Sequence, residues 1–401
     1  MNRIMTLSLA VVLAGAIAHA ADYYVAPDGD DANAGTLEKP FKSPVKAAAR
    51  LGPADTLYFR AGNYACKTNS TVGLAPSRDG LPDKPITFRN YNNEVVNIDC
   101  EGSDWGVTPN GYSYIVFDGL SISNKTHYGM KISAASGRRA DGGDGHVYSH
   151  HVTIRNCEVH DTGMECIFSY GTEYLTIENC HLHNSGQSHG LYLQVGCHNA
   201  VVRRVTSEDN KGNSGMQLNA AGGGIRNALV EDNLLRNNAQ GFSLMGVQDS
   251  TFRGNSVYND CFDGPRGSGY RELICWTYGE KGKNGTPDKP GTPCRNILFE
   301  NNTFVNTREK NISHLVELKA ATSGITFRNN IFQIAANKPI MTIAEDSSAG
   351  LKMQANLFFT PSKTLFVRGK QQIDDPNVFL DGASAGAANK TGDPKLADPA
   401  K

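Results

Sequence analysis

The chain has 401 residues with 39 basic and 40 acidic side chains, and loss of Arg3 with a cleaved leader would leave 38 against 40. So even a balance excludes a global field that recruits nucleic acid or an anionic membrane. Local basic pairs, Arg203 with Arg204 and Lys281 with Lys283, leave an anionic polymer open as a partner.

Residues 1–20, MNRIMTLSLAVVLAGAIAHA, place Arg3 before an apolar run that ends on Ala18-His19-Ala20, the pattern of a secretory signal. The run is short for the ~20 residues of a spanning helix. The expected protein is secreted or periplasmic, without membrane insertion, and starts near Ala21. Nine cysteines in an exported chain predict disulfides, with Cys66–Cys100 and a pair drawn from Cys261, Cys275 and Cys294 as the expected bridges. No CxxC spacing occurs, so a structural zinc site of that type is not expected.

SPVKAAARLG, residues 43–52, predicts a short amphipathic helix that caps the open end of a solenoid. The repeats begin beyond it. FRNY (88–91), FDGL (117–120), IRNC (154–157), IENC (177–180), VRRV (202–205), VEDN (230–233), FRGN (252–255), FENN (299–302), FRNN (327–330) and MQAN (353–356) align, most at steps of roughly 22 to 29 residues. Between them recurs a second phrase: YGMKIS (128–133), HGLYLQ (189–194), SGMQLN (214–219), QGFSLM (240–245) and HLVELK (314–319). Its alternation is that of a half-buried strand, and polar turns separate the copies.

Residues 21–380 therefore predict an all-β fold, a single-stranded right-handed parallel β-helix. The fourth position of the first phrase runs Cys157, Cys180, Val205, Asn233, Asn255, Asn302, Asn330, Asn356, which predicts an inward ladder of side chains. Two stretches, 134–151 and 260–295, read as long loops, the second as a cysteine-pinned wall beside a groove. Residues 381–401 read as a tail, a closing segment either reduced or cut short.

The opening ADYYVAPDGDDANAG, with GLPDKPITFRNYNNEVVNIDCEG after it, resembles secreted carbohydrate-active β-helix proteins, notably pectate lyase-like polysaccharide lyases of the pectate, chondroitin or alginate types. SHGLYL followed by SGMQL is similar to the repeat of mannuronan C5-epimerases, although their Asp-Pro-His-Asp motif is absent. The acidic calcium cluster of family nine pectate lyases is not visible either. HLVELKAATSGITFRNN resembles the strand that bears the catalytic lysine of family six lyases, which would map to Lys319, but the Arg-His-Gly that should follow is missing. The resemblance implies a β-helix that handles a polysaccharide.

The period of two predicts outward columns on the second phrase. One runs Lys131, Phe168, Tyr192, Gln217, Ser243, Glu317; its neighbour runs Ser133, Tyr170, Gln194, Asn219, Met245, Lys319; the residue before the small one gives Tyr128, Glu165, His189, Ser214, Gln240. Exposed aromatics beside amides suit a glycan laid across the rungs, with Tyr128, Lys131, Phe168 and Tyr170 as contacts. β-Elimination from a uronan needs a base, a carboxylate neutraliser and an acid for the leaving oxygen. His189 is the candidate base, oriented by Glu165, and Tyr192 the candidate acid or second base. Gln194, Gln217, Asn219 and Arg203 or Arg204 are candidates for the carboxylate.

No cofactor is required by the sequence, and calcium is allowed through Asp161, Glu165, Glu208 and Asp209. His181 and His183 are expected to serve a turn rather than a metal. The leading expectation is a secreted, monomeric polysaccharide lyase acting on an anionic, uronic-acid-containing glycan. A C5-epimerase, a glycoside hydrolase using Glu165 with Asp161 or Glu208, and a non-catalytic glycan-binding surface protein are the alternatives.

Overall fold

The structure is a computed structural model, described here for residues 20–67, 69–134, 148–210, 212–220, 224–260, 271–277, 291–309, 312–319, 321–347, 349–379 and 388–396. The expected signal, apart from Ala20, lies outside these residues, as do Cys261 and most of the 134–151 stretch. Among the described residues no helix is long and apolar enough to cross a membrane.

The chain winds as a coil of parallel strands in three sheets. Sheet A runs from Asp22–Val25 to Lys352–Gln354 and includes the first repeated phrase. Among the described residues, sheet B, of 12 strands, follows it from Gly62–Ala65 to Lys390–Thr391, and sheet C, of 10 strands, begins at Met130–Ile132 and carries the second phrase. In sheet A the partners Leu57, Phe88, Phe117, Ile154, Ile177 and Val202 lie in one register and are essentially buried. Like residues stack on like across rungs. Phe304, Phe332 and Phe358 follow one another with centroids 5.3 and 5.2 Å apart and nearly parallel rings.

The predicted cap is the helix Pro44–Ala48. Ser43 accepts the Lys46 N–H, proline occupies the first turn where no donor is needed, and Ala47, Ala48 and Leu51 cover the first rung. At the other end Phe366–Arg368 pairs antiparallel with Gln371–Ile373, so the last sheet C edge closes on itself.

The expected asparagine ladder is present and extends one rung further. The Nδ2 of Asn233, Asn255, Asn302, Asn330 and Asn356 each donates to the Oδ1 of the next asparagine, ending on Asn389, at 2.9 to 3.0 Å. The same Oδ1 takes the backbone N–H of the preceding asparagine, and the second Nδ2 proton goes to a strand carbonyl, as from Asn255 to Val230. From Asn255 onward each buried amide thus uses both donors and both lone pairs, while Asn233 Oδ1 accepts only the Val205 N–H. Asn389 and Lys390–Thr391 belong to the stretch expected to be a tail, which instead supplies the final rung of sheet B.

Two further expectations are corrected. All eight described cysteines, from Cys66 to Cys294, are free and buried. They fill inward positions: the Cys157 and Cys180 thiols lie against the carbonyls of Phe117 and Ile154, and burial pushes the Cys66 thiol up to about 12. Residues 260–295 are not one long loop, because Leu273–Trp276 forms a full sheet C rung between Gln240–Met245 and Val316–Leu318. Residues 261–270 and 278–290 lie outside the described set.

A second ladder, not anticipated, runs Asn210, Asn238, Asp260. Asp260 is fully buried beside Glu272, and Asn306 donates to the Glu272 carboxylate and to the Asp260 carbonyl. Burial raises Asp260 to about 7 and Glu272 well above the usual carboxylate range. The two carboxyl groups lie against each other, and each contributes to the other's shift. A carboxyl with a raised folded-state pKa contributes stability that is fully present below its unfolded value of 3.8 and is lost as pH rises through about 7. Urea unfolding of the wild type should show stability falling as pH rises from about 4 to about 7 and levelling off above that. Asp260→Asn, which removes the ionisable group, should flatten this dependence; an unchanged slope would reject the assignment.

Candidate functional site

The outward columns of sheet C stand as expected, with rungs the sequence reading missed. Lys131, Phe168, Tyr192, Gln217, Ser243, Ile274 and Glu317 are consecutive register partners. Tyr170, Gln194, Asn219, Met245 and Trp276 form the second column, with Lys319 next and its ammonium 5.2 Å from the Trp276 ring centre. The small residue in each phrase serves packing: a Cβ at Gly190 would lie 2.2 Å from Ser207 Oγ, and one at Gly241 would lie 2.3 Å from the Glu272 carbonyl.

This face is recessed rather than open. Gln217 and Asn219, one in each column, are only 8 and 7 % exposed, and Glu165 and His189, just ahead of their strands, are 4 and 3 % exposed. Phe168 is buried as well, stacked on Tyr128 at 5.1 Å and against the Tyr192 edge at 5.4 Å. Its role is to space those two tyrosines, not to offer an open sugar platform. Tyr170 remains half-buried beside Tyr148.

At the Phe168 end lies a desolvated amine. Lys131 Nζ sits 4.0 Å from the Trp105 ring centre, 5.5 Å from that of Tyr128 and 5.9 Å from that of Phe168. Burial lowers its pKa, opposed in part by Asp104. Burial likewise raises Tyr128 to about 12. Trp105 is a partner the sequence did not reveal, since it stands in a turn region without periodicity.

His189 does not take the geometry expected of it. Its Nδ1 accepts the Ser214 backbone N–H at 3.1 Å, so the neutral ring carries its proton on Nε2 and presents a donor. Glu165 does not orient it: one carboxylate oxygen accepts from Ser188 Oγ at 2.7 Å and the other is buried without a hydrogen-bond partner. Burial pushes the Glu165 carboxyl up, which favours its protonated form. Tyr192 packs against His189 with centroids 4.9 Å apart, and its hydroxyl accepts from Asn219 Nδ2 at 2.9 Å. The phenolic O–H is itself a donor.

Arg203 and Arg204 do not belong to this face. Arg203 lies on sheet A, and both guanidinium groups pair with Glu178, at 2.6 and 3.3 Å. The oxygen donors considered for calcium do not converge either: Asp161 pairs with His160, Glu165 with Ser188, and Glu208 with His181 and Arg236. Among the described residues these carboxylates are thus engaged by different partners rather than by one another. His181 and His183 lie in the strand His181–Ser185 of sheet B, not in a turn.

At the opposite end of sheet C, Arg271 pairs with Glu317 at 2.5 Å and donates to His314 Nε2 at 3.0 Å. Burial, with the charges of Arg271 and Lys319, lowers His314 to about 3. Arg271 precedes the overlooked rung, and only recognition of Leu273 and Cys275 as inward residues would have placed it.

The family model "Pel9A-like, right handed beta helix region" matches residues 23–264. The chain belongs to this family. Its coil is accordingly a right-handed parallel β-helix of the pectate lyase-like class. Among curated proteins, this Pel9A-like chain is 43% identical over 81 residues to the uncharacterized protein YwoF of Bacillus subtilis, covering 20% of this chain and 16% of that one. It is 37% identical over 82 residues to pectate lyase PEL9 of Emericella nidulans, covering 20% and 19%. The aligned segment thus spans less than a fifth of each relative. In structure it is similar to pectate lyase Pel9A (TM-score 0.50, 17% identity, 85% of this chain and 80% of that one). A XylC complex with xylose matches at TM-score 0.62 with 12% identity over 94% and 87%. Both likenesses concern the fold.

The Lys131 environment gives a direct expectation. In a carbon-13 NMR titration of dimethylated lysines, the Lys131 resonance should titrate below those of exposed lysines. Titration at or above 10.5, its ordinary value, would contradict the desolvated site.

Proposed function

We propose that this Pel9A-like protein is a secreted polysaccharide lyase that cleaves a uronic-acid-containing glycan by β-elimination in the sheet C recess. The observation that carries the reading is the desolvated Lys131 amine, one rung from Phe168 and two from the donors of Tyr192 and His189. A neutral amine is the species that can abstract a weakly acidic proton next to a carboxylate, and desolvation enriches it.

The roles follow from what each atom offers. Lys131 Nζ takes the proton from C5, the electron pair forms the C4–C5 double bond, and the C4–O4 bond breaks. Tyr192, whose oxygen is already held by Asn219, delivers its proton to the leaving oxygen. His189 Nε2–H, with Gln194 and Gln217 beside it, binds the substrate carboxylate and stabilises the charge that develops there. His189 thereby passes from base to donor. The name of the Emericella relative makes pectate the first substrate to try.

The test is ultraviolet absorbance during incubation with pectate, alginate, and chondroitin or heparin-type polymers, with and without added calcium. The expected result is a rising unsaturated-uronate signal on one polymer, reduced roughly 100-fold or more in Lys131→Ala. Its rate should increase with pH, because the amine must be neutral to act. Absence of signal on every polymer, with sugar analysis showing inverted C5 centres or intact chains, would replace the lyase by an epimerase or a binding protein.

A further inference from the structure

On the outward face of sheet B, away from the sheet C recess, two rows of side chains meet in register. Glu158, His181 and Thr206 form one row, and His160, His183 and Glu208 the other. The His-x-His spacing puts His181 and His183 on one face of a single strand, because strand side chains alternate with period two. Glu158 arrives from the neighbouring rung. One ligand atom from each of Glu158, His181 and His183 lies within 4.8 Å of the other two.

We infer that Glu158, His181 and His183 form a binding site for a divalent transition-metal ion, with zinc as the reference ion. Two imidazoles and one carboxylate are the donors that borderline ions prefer, whereas calcium takes an all-oxygen shell. Zinc bonds of ~2.0–2.2 Å place tetrahedral donors roughly 3.3 Å apart, so rotamer adjustment alone closes the site.

The surroundings already hold the ligands. Ser121 Oγ donates to Glu158 Oε2 at 2.8 Å, and Glu158 Oε1 lies 3.1 Å from His183 Nε2. Glu208, anchored by Arg236, contacts His181 Nε2 at 2.7 Å and stands ready as a fourth ligand or as the acceptor that orients the ring. Glu158 and His181 also border an open depression of about 590 Å³, which gives an ion and its water access. All three ligands are partly exposed, so binding requires no opening of the coil. A bound ion would join two successive rungs of sheet B and act as a clamp between them.

The site does not rest on the lyase reading, and its test reads binding. The purified protein is stripped with a chelator, dialysed and titrated with zinc by calorimetry, with retained metal measured after gel filtration. The expected result is one zinc per chain and a melting temperature raised by zinc. His181→Gln and His183→Gln should each weaken binding about 100-fold while retaining the wild-type circular dichroism spectrum. Substituting the other adjacent imidazoles, His150→Gln with His151→Gln, exposed with their Nδ1 atoms 2.9 Å apart, should leave binding unchanged. Cobalt in place of zinc should give the visible absorption of a low-coordinate site in the wild type only. No retained zinc, or binding lost with His150 and His151 and kept without His181 and His183, would overturn the inference.

Discussion

A strand in a parallel coil cannot satisfy its backbone from within, so every rung depends on hydrogen bonds to the rungs before and after it. The asparagine ladder is where that dependence is most concentrated. From Asn255 to Asn389 each side-chain amide saturates four hydrogen-bonding positions with backbone or with a neighbouring amide, in a buried column. An apolar side chain in the middle of that run would orphan groups on two rungs at once. Near the start, Cys157, Cys180 and Val205 occupy the same column without such a run, and there the thiols lie against strand carbonyls instead.

Because the interior is committed in this way, chemistry is confined to outward positions whose neighbours are dictated by register. Residues 37 or 24 apart in sequence, such as Lys131, Phe168 and Tyr192, become adjacent because consecutive rungs bring them together. The recess over sheet C then alters their acid-base character. The same desolvation that favours a neutral Lys131 favours a protonated Glu165, while fully paired surface carboxylates such as Glu208 move the other way, toward ionisation. The sheet B histidines are partly exposed beside carboxylates, a setting that suits ion binding.

The fold was legible because the inward pattern repeats: the phrase ending in Asn330 has the same reason to exist as the phrase ending in Asn302. The sheet C columns followed from period two, and their register was right wherever a rung had been recognised. LICW, residues 273–276, was read as part of a loop wall because it sits between long polar stretches, so Ile274 and Trp276 were missing from the columns. Arg203 and Arg204 were placed on the wrong face because alternation tells which side of a strand faces out but not which sheet the strand joins. His189 drew its role from residue type alone, whereas the Ser214 N–H that fixes its tautomer comes from another rung. The disulfide expectation rested on the inferred compartment, whereas the eight described cysteines are free and occupy inward positions.

The central claim is that an anionic glycan binds along sheet C with a C5 proton directed at Lys131. A crystal structure of the Lys131→Ala variant with an oligouronide tests it most directly. The account predicts a uronate whose C5 faces the space left by the amine and whose carboxylate contacts His189. A sugar bound only over sheet A or sheet B, or only at the Arg271 end of sheet C, would contradict it.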